Sequence, residues 1–155
     1  MFELLPGSGL VLPHQVGVLS FGMSERAAQW AVSGLADVRG SWVCQADWAF
    51  TAEWDGLELL AFGDCADRES RPERDRRGLA AVVLRRSRYA LNGPSIVPVV
   101  LGGIDIFGYP AAEVLDALVP ADYPGVRLPA RSSGSYLPEV SVSCLPLGEQ
   151  APTGP

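Results

Sequence analysis

The chain has 155 residues, 48% of them apolar, and a net charge of -6; all 12 basic residues are arginine. That length fits one domain with a worthwhile core, and the apolar share excludes disorder over most of the chain. The negative balance argues against a general nucleic-acid binder, and no stretch reaches the roughly 18 apolar residues of a membrane-crossing helix.

Pro6-Gly-Ser-Gly-Leu10 is turn-like, and Val16 to Phe21 reads as a short strand broken by Gly22. Ser24 is placed to cap a helix from Glu25 to about Leu35: its side-chain oxygen can take a free N–H of the first turn. Ala27, Ala28, Ala31, Val32 and Leu35 share one face of that helix. Ser41 to Ala46 is a further strand candidate. The clearest local signal spans Trp48 to Trp54, then Asp55-Gly56, then Leu57 to Phe62. Alternation on both sides of Asp-Gly predicts a β-hairpin with a type I′ turn. Its register pairs Trp54 with Leu57, Ala52 with Leu59 and Phe50 with Ala61. Trp48, Phe50, Ala52 and Trp54 then face the core, while Thr51 meets Leu60 and Glu53 meets Glu58 on the other face.

Asp64 to Arg77 is a charged run whose composition cannot build a core, and a mobile loop is expected there. Leu79 to Leu84 reads as a buried strand, with a connection from Arg85 to Pro94. Ile96 to Ile106 is extended but interrupted by Pro98 and Gly102-Gly103, so an edge or bent strand is expected. A second helix starts near Pro110, with Ala111, Val114, Leu115 and Leu118 as its apolar stripe and Pro120 just beyond its end. Residues 126–136 read as irregular. Glu139 to Leu145 alternates Val140, Val142 and Cys144 inward against Ser141 and Ser143, as in a half-exposed antiparallel strand.

The chain echoes itself. Phe21-Gly-Met-Ser-Glu-Arg-Ala-Ala28 recurs in outline as Phe107-Gly-Tyr-Pro-Ala-Ala-Glu-Val114. In both copies a Phe-Gly closes an apolar stretch, a helix start follows, and an alanine-rich amphipathic run comes after it. The expected fold is therefore α+β: one antiparallel, twisted sheet with two helices on one face, built as two degenerate repeats. Residues 1–146 form the domain and 147–155 a disordered tail.

The residue types that carry chemistry are sparse. His14 is the single histidine, and Cys44, Cys65 and Cys144 are scattered, so no metal set or Cys–His pair is indicated. Cys44 and Cys144 read as core residues; Cys65, in the charged run, is the one expected to be exposed. An odd cysteine count without CxxC, and an acidic Met1-Phe2-Glu3 opening, lead to the expectation of a cytoplasmic protein with reduced thiols. Glu53 opposite Glu58 places two like charges across the hairpin, which costs stability and can raise one carboxyl's pKa. Six arginines and one acid lie between Arg74 and Arg88, on an otherwise acidic chain. Aromatics and arginines anchor interfaces, so the candidate interaction residues are Trp42, Glu53, Glu58, Arg85, Arg86 and Tyr136.

Two stretches carry a resemblance. Pro6-Gly-Ser-Gly-Leu followed by Val18-Leu-Ser-Phe-Gly-Met-Ser-Glu resembles the "PGxG…xxxFGMSxxEV" opening of a group of small actinobacterial proteins. Gly103-Ile-Asp-Ile-Phe-Gly-Tyr-Pro-Ala-Ala-Glu-Val resembles their "GxDLFGxPxxEV" element. The Gly-Met-Ser opening is also similar to the repeat unit of β-lactamase inhibitory protein and of small outer-membrane assembly lipoproteins. Ala28-Gln29 departs from the pattern, standing where Glu-Val is usual. The resemblance implies an α+β fold and a habit of protein binding, with immunity factors paired with toxins among such proteins. It carries over no catalytic residue.

The first functional reading is thus a protein-binding module, not an enzyme and without a cofactor, with an immunity-type inhibitor as its specific form and a basic protein as its partner. The second is a small-molecule-binding protein or small enzyme with a pocket near Glu53 and Glu58. A third is a structural subunit whose hairpin edge is capped by a partner strand.

Overall fold

The computed structural model describes residues 1–63, 78–87, 90–129 and 135–144. In chain order the strands and helices are β1 (Phe2–Leu5), β2 (Gly9–Val11), β3 (Val18–Ser20), α1 (Glu25–Ser33), β4 (Val38–Ser41), β5 (Trp48–Trp54), β6 (Leu57–Gly63) and β7 (Leu79–Arg86). They continue with β8 (Val99–Leu101), β9 (Ile104–Asp105), α2 (Ala111–Ala117), β10 (Val126–Arg127) and β11 (Glu139–Ser143). The class is α+β with two helices, as expected. The expected single sheet is instead two: a five-stranded sheet ordered β3-β2-β1-β8-β9 and a six-stranded sheet ordered β10-β11-β7-β6-β5-β4. All pairings are antiparallel except β1 with β8.

The internal echo is visible in the topology. In each unit an antiparallel strand pair of the smaller sheet, β2–β3 or β8–β9, leads through Phe-Gly into a helix. Each helix then delivers the chain to an edge of the larger sheet, β4 or β10, which pairs with the next strand, β5 or β11. The helices thus connect the two edges of one sheet to the two edges of the other.

Local chemistry explains the elements. The Ser24 hydroxyl accepts the Ala27 N–H at 3.2 Å, which caps α1, and Ala28 and Val32 are its buried residues. The hairpin register is the predicted one throughout, from Trp48 opposite Gly63 to Trp54 opposite Leu57. Asp55 and Gly56 both lie at positive φ, 47° and 82°, as a type I′ turn requires. In the second unit the Asp105 carboxylate accepts three backbone N–H groups, of Val99 at 3.1 Å, Phe107 at 3.2 Å and Gly108 at 3.1 Å. One side chain so fixes the β8–β9 hairpin and the Phe-Gly exit, which is why a carboxylate stands in that motif.

The inward residues of the larger sheet, including Phe50, Leu59, Val82, Leu84 and Val140, form one core with Phe2, Leu4, Leu10 and Val99 of the smaller sheet and with Val32 and Val114 of the helices. Full burial of each large side chain contributes about 1.5–3 kcal/mol. β2 lies directly against β7 and β11, so the two sheets meet there.

Other local expectations are corrected. The strand proposed at 41–46 is β4, which ends at Ser41; a turn follows with Gln45 at φ 68°, so Cys44 is exposed rather than in the core. Pro98 does not mark an edge, although the chain bends at Ile96 and Val97 just before it. It stands just before β8, an interior strand, and its carbonyl accepts the Phe2 N–H at 2.9 Å, so its missing donor breaks no ladder bond. The segment 126–136 is not wholly irregular, because Val126 and Arg127 pair with Val142 and Ser141. The strand expected to end at Leu84 runs on to Arg86. The charged run 64–77 with Cys65, and the tail 147–155, lie outside the described residues.

Candidate functional site

On the outward face of the larger sheet, four strands place Glu53, Glu58, Arg85 and Glu139 side by side in one cross-strand row. Arg85 Nε donates to Glu139 Oε2 at 3.0 Å, and Arg85 Nη1 donates to Glu58 Oε1 at 3.3 Å. The like-charged pair read from the hairpin is therefore bridged on one side by an arginine, while Glu53 has no ion pair among the described residues. All four side chains are at least partly in water, so these ion pairs orient charges more than they stabilise the fold.

The next row inward runs Arg39, Thr51, Leu60, Val83, Ser141 and Arg127. A third runs Ser41, Ala49, Phe62, Ala81 and Ser143. Leu60, Phe62 and Val83 are half-buried. The face thus holds an apolar strip between an acid-rich row and flanking arginines.

Arg86 points the other way. Strand alternation puts it on the inward face with Val82 and Leu84, and it is 4% exposed. Its guanidinium lies 5.7 Å from the Phe107 ring centre and 5.6 Å from that of Tyr136. Nη2 donates to the carbonyls of Ala90 and Gly93. Nη1 is sealed from solvent and has no hydrogen-bond partner among the described residues. Burial lowers the pKa of Arg86, and Tyr136 and Asp105 partly offset that. An arginine starts so high that it stays charged.

Grooves among the described residues flank the β5–β6 turn. A groove of about 700 Å³ is lined by Trp54, Glu58, Arg85, Arg86 and Ser87, with Glu53, Asp55 and Gly56. A smaller one, about 330 Å³, runs between that turn and residues 90–96. Trp54 is half-buried, edge-on to Phe2 at 5.8 Å and to His14 at 5.5 Å.

The sequence-derived candidates divide accordingly. Glu53, Glu58, Arg85 and Arg86 line the larger groove together. Tyr136 is half-buried and stacks beneath Arg86 instead of presenting a free ring. Trp42 is 82% exposed just past β4, at the end of the β4–β5 pairing away from Glu53, and takes no part in the groove. Sequence reasoning missed Glu139, whose meeting with Arg85 depends on the β7–β11 register. The inward turn of Arg86 was accessible from period two, had the strand been extended past Leu84. Among the described residues no group of three or more His, Cys, Asp or Glu is placed to hold a metal ion, and no helix is long and apolar enough to cross a membrane.

Searches against protein-family models, curated proteins and solved structures return no match to this chain.

Proposed function

We propose that this chain is a cytoplasmic protein-binding module that engages a basic partner through the outward face of its six-stranded sheet, in the manner of an immunity-type inhibitor. The observation that carries this reading is the Glu53–Glu58–Arg85–Glu139 row beside the apolar strip of Leu60, Phe62 and Val83. Three acids around one arginine leave that row net negative, and Glu53 makes no ion pair among the described residues, so a partner's arginine or lysine finds an acceptor there. The adjoining strip supplies apolar area, as interface centres require. The resemblance of the Phe-Gly-Met-Ser opening to small protein-binding repeats agrees with this reading.

The test is affinity capture from the protein's own cells, at low and high salt, with the wild-type chain and the double variant Glu53→Lys/Glu58→Lys. One stoichiometric partner, lost at high salt and lost to the variant, is the expected outcome. Capture of the same partner by the variant, or no partner at either salt, overturns the proposal. A ligand-binding reading is favoured separately by the groove at the β5–β6 turn.

A further inference from the structure

We propose that β4, the open edge of the six-stranded sheet, pairs antiparallel with β4 of a second copy, so that the sheet runs from one copy into the other. This interface is separate from the outward-face contact proposed above. Among the described residues the two sheets end in β3, β9, β10 and β4. β9 and β10 are two residues long and β3 three, whereas β4 has four and leads into the exposed Trp42. Free N–H and C=O groups on such an edge recruit another strand unless the edge is shortened or covered.

Register fixes what the edge offers. Trp54 and Leu57 close a two-residue turn and so exchange backbone hydrogen bonds. Alternation from that pair turns the N–H and C=O of Thr51 and Ala49 toward Arg39 and Ser41. Val38 and Gly40 therefore point their backbone groups away from β5, to the side where no other strand lies among the described residues.

The chemistry of β4 fits a second copy. An antiparallel pair centred on Gly40 sets that glycine against Gly40 of the second copy, with the outward N–H and C=O groups matched in both directions. It also sets Val38 opposite Trp42 of the second copy, twice by symmetry, and Arg39 opposite Ser41. Alternation carried one residue past Ser41 puts Trp42 on the side of Val38 and Gly40. Val38 is half-buried against the core, and a Cβ on Gly40 would meet nothing within 4 Å. The indole, 82% exposed in one copy, thus finds an apolar neighbour and an open space beside it. The neighbouring registers fit less well. One places Arg39 directly opposite Arg39, which repels, whereas the Gly40-centred register leaves the two exposed guanidiniums diagonal and in water. The other places Gly40 opposite Ala36, whose N–H is bonded back to Val32 where the chain leaves α1.

The experiment is sedimentation velocity of the full chain from about 1 to 500 µM, under reducing conditions because Cys44 is exposed. A reversible monomer–dimer equilibrium is expected. Gly40→Pro removes the outward N–H and leaves the ladder to β5 intact, since an edge strand tolerates proline on its open side. Trp42→Ser changes only an exposed side chain. Each should weaken the dimer by at least about tenfold, with Tm unchanged at concentrations where the wild type is monomeric. Isotope-filtered NOEs between differently labelled copies should join Val38 methyls to the Trp42 indole, a pair about 13 Å apart along a single strand. A chain that stays monomeric throughout leaves the edge to a foreign strand and overturns the proposal. So does a dimer that survives both variants, or one that lacks the Val38–Trp42 NOE.

Discussion

The indole of Trp48 lies across Gly63, its cross-strand partner: a Cβ built on Gly63 would come within 2.1 Å of the indole ring. Trp48 is held there by a stack on Phe50, with ring centres 5.9 Å apart and planes 6° from parallel. Glycine at 63 is thus the space that lets a tryptophan close the end of the hairpin against the core.

Gly63→Ala should therefore destabilise the fold, by about 1–3 kcal/mol, as overpacking of a filled site does. Denaturant unfolding followed by tryptophan fluorescence checks this. A loss below a few tenths of a kcal/mol would mean that Trp48 swings away at little cost.

Ser24→Ala removes the side-chain acceptor at the start of α1. The expected loss is about 1 kcal/mol, and Ser24→Asp should restore it. The same unfolding measurement applies to both variants.

Asp105→Ala strips one acceptor from three backbone N–H groups at once. The expected cost is about 2–3 kcal/mol, because the Val99 and Phe107 N–H groups are left unpaired while Gly108 keeps its bond to the Asp105 carbonyl. Asp105→Asn keeps one acceptor oxygen and should lose less. Amide hydrogen exchange at Val99 and Phe107 should rise in Asp105→Ala before it rises in α1.

Glu53→Lys converts a like-charged cross-strand pair into an attractive one. It should raise stability by a few tenths of a kcal/mol while weakening capture of a basic partner. Such a divergence of stability from binding would identify Glu53 as a residue kept for contact. Parallel movement of both, or unchanged capture, would count against the proposed face.

The hairpin of β5 and β6 was fully legible in the sequence, because alternation and Asp55-Gly56 specify register without help from the rest of the chain. The α1 start was legible for the same local reason, through Ser24. What escaped was non-local. Phe2 pairs with Val99 in the one parallel contact, and nothing near either residue encodes that meeting. The two-sheet division follows from it and was therefore invisible. At the candidate site, Glu53 opposite Glu58 could be read from one hairpin. The bridging of Glu58 and Glu139 by Arg85 needed three strands. Arg86 was misjudged as a surface residue because a charged side chain ordinarily ends a buried strand, and here its cost is partly offset by ring stacking and two loop carbonyls.

The parallel contact of β1 with β8 also sets an order of assembly. β4, β5 and β6 are joined by short turns and can pair as soon as they leave the ribosome. β1, at the middle of its sheet, can pair early with β2, but its other edge must wait until the chain has been made past residue 101. Until then β1 is paired only with β2, and its other edge stays open. That open edge of β1 is a site for wrong pairing until β8 is present.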